Sequence, residues 1–412
     1  MAACHAKTGA SAAASAGGRR PRAWLMGRAA AVAVVALILS AGVVSTGEAT
    51  TKDPKRVITV GGYAEGYYGW NLGQPGNGIT NFRAFDTRHN SFTLLNAVLS
   101  ADWTARGGYG RVALQVGTSA DTYYGAEVSD AGASGAGPHN HEVFKHVQEA
   151  YAGAAFADDL VRVEAGLMLS PIGPESMAIK DHWTLSRSNL YYAFPFYHLG
   201  ARAHVAVSDA TQITLGVYNG WDGLLDKNHQ KTVSLAVHHK LSDDVEFDVQ
   251  YFTGVERPAN APEGTPIRHL VDAWVKARLS KSFAIIFDVD VGMEDGDLGR
   301  SGWASAGLWT RLQVAETTYV STQSDFMREW RGAKDGKRAS AIFWPVEWVT
   351  SHALCVEQHV GSFAAMKLEY RFDKAGGNMY FAGAVEKDSI SHNWIENADS
   401  QQTITLALTS WF

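Results

Sequence analysis

From about residue 95 to the end of the chain, apolar and polar side chains alternate with a period of two. Leu95, Ala97, Leu99, Ala101 and Trp103 share one face of such a segment, with Asn96, Ser100 and Asp102 on the other. Val161, Val163, Ala165, Leu167 and Leu169 alternate with Arg162, Glu164, Gly166 and Met168. The pattern recurs over 199–207, 233–237, 245–251, 271–279 and 364–372. There the polar faces carry Arg202 and His204, then Glu246, Asp248 and Gln250, then Asp272, Lys276 and Arg278, then Lys367, Glu369 and Arg371. A period of two predicts strands in a sheet with one wet face.

A soluble sandwich or propeller would alternate as well. Three features favour a membrane barrel. The segments run about 9–11 residues, enough to cross hydrocarbon at a tilt, whereas soluble strands average about five or six. Their polar faces carry full charges. Connections alternate in length: Ser208-Asp209-Ala210 and Ser242-Asp243-Asp244 are tight, 120–145 and 254–268 long. Short turns at one end and long loops at the other mark transmembrane barrels. The expected fold is all-β, a transmembrane antiparallel up-and-down β-barrel of about 16 strands within a range of about 12–18.

No helical span competes with this reading. After residue 50 the apolar runs are short, such as 283–287, which Asp288 ends. Residues 1–49 read as an export signal: Arg19, Arg20, Arg22 and Arg28 flank an apolar run at 29–44, shorter than the ~20 residues of a spanning helix. Gly47 and Ala49 offer a cleavage site before Thr50. Met26-Gly27-Arg28 makes the more typical start, and a signal anchor is the alternative. Residues 50–412 are then a single barrel domain. Without the signal the chain has 31 basic and 41 acidic side chains, a charge of −10 that argues against nucleic acid as a partner. Cys355 is the one cysteine left, so no internal disulfide staples the fold.

Trp70, Trp103, Tyr109, Trp221, Trp303, Trp394 and Trp411 fall near expected strand ends, where barrels carry aromatic girdles. At the C-terminus Ile404, Leu406 and Leu408 alternate with Thr403, Thr405, Ala407 and Thr409, and Phe412 ends the chain. This last strand is expected to close the barrel against the first. A terminal Phe after such alternation resembles the signal read by the outer-membrane assembly machinery, Ser410 being a departure from it.

Three stretches resemble one family, the OmpL-like or type-2 β-barrel porins of Gram-negative outer membranes. They are Phe82-Arg83-Ala84-Phe85-Asp86-Thr87-Arg88-His89-Asn90-Ser91-Phe92; the run from Gly166 through Ser170-Pro171-Ile172-Gly173-Pro174-Glu175 to Ser186-Arg187-Ser188 and His198-Leu199-Gly200-Ala201-Arg202; and Tyr218-Asn219-Gly220-Trp221-Asp222 with Asn228. The resemblance implies a barrel with a solute pathway in the bacterial outer membrane. Region 328–360 fits least well, because Pro345 interrupts a strand-like run.

Candidate chemistry is sparse. His139-x-His141 with His146 falls short of the three or four placed ligands of a zinc site and reads as a solvated loop, so no metal is assigned. His238 and His239 point to opposite faces of a strand. Ser186, Ser188, His182 and His198 lie close in sequence without a catalytic motif, and Ser186-Arg187-Ser188 reads as a loop folded toward the lumen. No catalytic residue and no cofactor is expected. The charged polar-face residues Arg162, Glu164, Arg202, Glu246, Asp248, Lys276, Arg278, Asp288 and Asp290 are expected to line a channel, with a modest cation preference. The expected function is passive diffusion of small hydrophilic solutes or ions; the alternative is a phospholipase- or protease-like barrel enzyme. Expected partners are outer-membrane lipid, the assembly machinery through Phe412, and the solutes; a homo-oligomer is compatible with the class.

Overall fold

The computed structural model describes residues 57–125, 144–224, 226, 228 and 230–412. The expected export signal, with Met26 and the cleavage site, and the pair His139 and His141 lie outside the described residues.

Antiparallel strands close into one barrel of 16. Around the wall run β1 (Val57–Asn71), β2 (Ser91–Ala105), β3 (Gly108–Val116), β4 (Val147–Phe156), β5 (Val161–Leu169), β6 (Tyr197–Ser208) and β7 (Thr211–Tyr218). Then come β8 (Thr232–Ser242), β9 (Val245–Val255), β10 (Ile267–Arg278), β11 (Phe283–Gly296), β12 (Gly299–Ala315) and β13 (Thr318–Trp330). A small hairpin of β14 (Ala333–Lys334) and β15 (Lys337–Arg338) stands apart in a loop, and β16 (Trp348–Val360), β17 (Ala364–Ala375) and β18 (Ser400–Trp411) complete the circuit. β18 pairs with β1, so no sheet edge is left to satisfy. Region 328–360 resolves into the end of β13, the hairpin loop and β16; Pro345 sits in the loop, where no ladder amide is required.

The connections sort by end. One end carries only short turns, at 106–107, 157–160, 209–210, 243–244, 279–282, 316–317 and 361–363. The other carries 72–90, 117–146, 170–196, 219–231, 256–266, 331–347 and 376–399, with 297–298 as a short exception. The barrel strands span 8 to 17 residues rather than 9–11, ladders such as β11–β12 continuing unbroken to the turn at 297–298. Among the described residues no helix is long and apolar enough to cross a membrane.

Alternation sets the two faces. In β13 and β16 to β18 buried polar residues (Gln323, Ser351, Glu369, Thr405) alternate with exposed apolar ones (Phe326, Leu354, Leu368, Leu406). This is a soluble protein turned inside out. An exposed apolar belt of this kind marks a lipid contact, and covering each Leu or Val yields about 1.5–3 kcal/mol.

Several expected positions are corrected. Leu95 was expected to face outward with Leu99; a bulge opposite Glu65 and Gly66 inserts it as an extra residue, and it is buried in the interior cluster. Leu167 keeps the outward parity but is buried in the same cluster as Tyr124 and Tyr197. Of the seven aromatic residues expected in girdles, Trp70 and Trp103 face outward, Trp103 lying over Gly110. Tyr109 and Trp411 share the inward parity of Arg111 and Thr409. Trp303 is wholly buried inward over Gly292, whose missing side chain makes room for the indole. Trp221 and Trp394 belong to loops.

Loops fill the lumen near the loop end. Phe82 and Tyr192 pack edge-on against Trp344, Phe85 against Tyr191, and Phe343 against Trp303. Segments 72–90, 170–196 and 331–347 therefore share one aromatic core inside the wall.

Candidate functional site

Loop 170–196 crosses the interior and is fastened to inward side chains of several strands. Lys367 on β17 donates its ammonium to the carbonyls of Ile179 (3.0 Å), His182 and Thr184 (3.2 Å). Glu369 accepts the amides of Leu185 at 2.6 Å and Ser186 at 3.1 Å. Arg371 donates to Ser186 Oγ at 3.0 Å and to the Arg187 carbonyl. On β13, Asp325 accepts Asn189 Nδ2 at 2.8 Å; on β1, Glu65 accepts the Lys180 amide at 3.2 Å. On β9, Gln250 donates to the Pro171 carbonyl at 2.6 Å. The alternating Lys367, Glu369 and Arg371 thus present a strip of donors and acceptors that reads the loop backbone, with Asp373 holding Arg371 at its end. Charge-assisted bonds of this kind are stronger than neutral ones.

The motif stretches take part. Arg83 pairs with Asp86 (2.9 Å) and Asp373 (3.0 Å) and donates to Thr403 Oγ1, fixing loop 72–90 to β17 and β18. Asp222 accepts the Phe196 amide at 2.6 Å and ties the loop after β7 to the end of loop 170–196. Within that loop, Arg187 donates to carbonyls of Ser176, Met177 and Leu185 and lies over the Phe85 ring.

Below the loop the lumen opens to water. Along β10, Asp272 is fully buried, whereas the side chains of Lys276 and Arg278 are 46% and 58% exposed. The charges in this half are paired. Arg202 meets Glu164 at 2.5 Å, Lys276 meets Glu246 at 3.3 Å, and Arg278 meets Asp244. His238 lies 3.6 Å from Asp248, and Arg162 sits over the Tyr109 ring at 4.4 Å. Four of the expected pore-lining residues are buried rather than lining open water: Glu164 and Asp248 beside their partners Arg202 and His238, and Asp288 and Asp290, at 1% and 0% exposure, gathered with Asp272. The sequence reading placed Asp272 on the polar face but left it out of the candidate set. Its importance comes from β11, a strand whose register the sequence does not display. Lys367, Glu369 and Arg371 were also read only as polar-face residues, although their alternating charge was a usable signal.

The constellation considered for an enzyme does not assemble. Ser188 Oγ donates to Glu175; His182 Nε2 contacts the Ser176 carbonyl and its Nδ1 is 3.8 Å from Glu175. Ser186 Oγ is taken by Arg371, and His198 is stacked between Tyr218 and Phe252. No hydrogen bond joins Ser186 or Ser188 to His182 or His198. Burial pushes the Glu175 carboxyl up to about 7, against the opposing pull of the Ser188 hydroxyl and amide and of Arg187. His238 and His239 do face opposite sides, His238 toward Asp248 and His239 against Phe247.

A closed barrel, short turns at one end and an inward loop fastened across the lumen are a porin architecture, and the sequence agrees. The family model described as "Putative beta-barrel porin-2, OmpL-like" matches residues 57–412. The chain belongs to this family. Its fold is similar to that of an anion-selective porin from Comamonas acidovorans, at a TM-score of 0.57 and 10% identity, covering 87% of this chain and 100% of that one. It is also similar to OmpT, an outer membrane protein of Vibrio cholerae, in its trimer form (TM-score 0.55, 10% identity, 87% and 99% covered). A third is the outer membrane channel DcaP of Acinetobacter baumannii (TM-score 0.54, 8% identity, 88% and 99% covered). At these identities the likeness shows the fold. No curated protein sequence matches the chain. Family and fold together place this porin in a bacterial outer membrane, and its short-turn end is therefore the periplasmic one.

Proposed function

We propose that this porin is a passive diffusion channel for small hydrophilic solutes and ions, narrowed by loop 170–196, and not an enzyme. The observation that carries the reading is the division of the lumen. Its periplasmic half holds water-accessible charges of both signs, and above it the loop is held across the interior by backbone-reading side chains. Arg162, Arg202, Glu246, Lys276 and Arg278 line the wet half; Glu164 and Asp248 stand buried in its wall beside Arg202 and His238, and Asp288 and Asp290 act on passing ions from behind the surface. Phe412 serves assembly, residues 1–49 serve export, and a trimer like that of the Vibrio cholerae barrel is the proposed assembly. A modest preference for cations follows from the −10 charge and from Glu246 and Asp248, opposed by Arg162, Arg202, Lys276 and Arg278.

The test is conductance of the purified protein in a planar lipid bilayer. Discrete, nearly ohmic steps are expected, with reversal potentials in a KCl gradient favouring potassium. A folded protein that never conducts would end the reading. Anion preference, or no change in the Glu246→Gln/Asp248→Asn variant, would end the assignment of selectivity.

A further inference from the structure

Across four neighbouring strands, Gln250 on β9, Asp272 on β10, Asp290 on β11 and Ser305 on β12 stand side by side, all turned into the barrel. Asp288 lies two residues from Asp290 on the same face of β11, opposite Trp274. Asp272, Asp288 and Asp290 are 0%, 1% and 0% exposed, and each offers a carboxylate oxygen within 4.8 Å of those of the other two. Ser305 Oγ donates to Asp290 Oδ2 at 3.0 Å. Both oxygens of Asp272, both of Asp288 and Oδ1 of Asp290 have no hydrogen-bond partner. Three buried carboxylates with one donor, Ser305, and no basic counter-charge among them are strongly disfavoured as anions, so the cluster must either take up protons or bind a cation.

A second observation, independent of the acids, points to the source. Gln250 is 2% exposed; its amide nitrogen is committed to the Pro171 carbonyl, and its Oε1 has no partner. It stands directly across from Asp272, at the cross-strand spacing of about 5 Å. A neutral carbonyl oxygen beside three carboxylates makes an all-oxygen donor set, with no imidazole or thiolate. That set suits a hard cation and not zinc. Oxygens that all lie within 4.8 Å of one another can share a single ion, and calcium accepts such oxygens at about 2.4 Å in flexible geometry. Magnesium at about 2.1 Å demands octahedral order and keeps several waters, for which a site this buried has little room.

We propose that Asp272, Asp288 and Asp290, with the Gln250 carbonyl, bind one calcium ion in the barrel wall. The ion cancels two of the three charges and joins β9, β10 and β11. Through Gln250 and Pro171 it also steadies the start of loop 170–196.

The experiment uses the full chain refolded in detergent, stripped with EDTA and titrated with calcium chloride by calorimetry. Terbium luminescence excited through Trp274 gives a second readout at the site. One calcium per chain is expected, with a rise in the unfolding temperature. The Asp272→Asn/Asp290→Asn variant should lose both effects while keeping heat-modifiable mobility, the sign of a folded barrel. Asp295→Asn, an exposed carboxylate on the outward face of the same strand, should keep both. Two results overturn the site. One is a folded parent that shows no saturable calcium binding and no terbium signal. The other is a folded double variant that binds calcium as the parent does.

Discussion

A single residue shows how the barrel inverts ordinary stability rules. Val275 faces outward on β10, so arginine there should destabilise the barrel by about 2–4 kcal/mol if the site lies near the bilayer midplane. Gln212, exposed and inward on β7, should accept arginine at a small fraction of that cost. Urea titrations of refolding into lipid vesicles measure both, and equal costs would mean that the faces are assigned wrongly. Glu175 gives a second residue-level test. Its side chain is 3% exposed, with Ser188, Arg187 and His182 around it and Asp325, Asp288 and Asp290 repelling its charge. A carboxyl held at about 7 in the fold and near 4.5 when unfolded favours the folded state below pH 4.5 and loses that contribution as pH rises through 7. Stability of the parent should therefore fall between pH 4.5 and 7.5 more steeply than that of Glu175→Gln. Parallel pH profiles would count against Glu175 as the source. At this scale alternation made most of the faces legible in advance. It failed at Leu95, where a bulge breaks the period, and it could not tell a wet interior charge such as Lys276 from a dry one such as Asp290. Dryness is imposed by a loop distant in sequence.

Among the elements, loop 170–196 decides the lumen. Its motif residues were visible, and so was its inward direction, but its fastening was not. The anchors Glu65, Gln250, Asp325 and Lys367 lie on strands separated from the loop by up to 188 residues. Lys367 is the sharpest anchor, because removing it strands three carbonyls that it now satisfies. Lys367→Ala should loosen the loop, raising single-channel conductance and its noise while the barrel stays heat-modifiable. Unchanged traces would show that the loop is held by its remaining bonds alone. Lys367→Arg, which keeps the charge, should behave more like the parent.

For the whole molecule, closure is the step on which everything else depends. Phe412 exchanges backbone hydrogen bonds with Gly62, and its ring lies over that glycine, where a Cβ would come within 3.0 Å of it. Deleting Phe412 should lower the yield of folded, heat-modifiable protein in the outer membrane, whereas an unchanged yield would remove it from assembly. The architecture and the strand number were legible, because periodicity and chain length constrain a closed sheet tightly. The filling of the loop end was not, since aromatic contacts such as Phe82 with Trp344 join segments that no local pattern connects.

The lumen is dry and tightly bonded toward the outside and wet and charged toward the periplasm. In the proposed channel, that division would make the two mouths electrically unequal. Were the vestibule to carry the net negative charge proposed for it, mobile ions would accumulate there at one voltage polarity and be swept out at the other, so the current would rectify. The asymmetry should grow as salt is lowered and the screening length extends from about 10 Å at 0.1 M toward 30 Å at 0.01 M. In the cell this would make the porin a weak one-way valve for charged solutes, with no moving part.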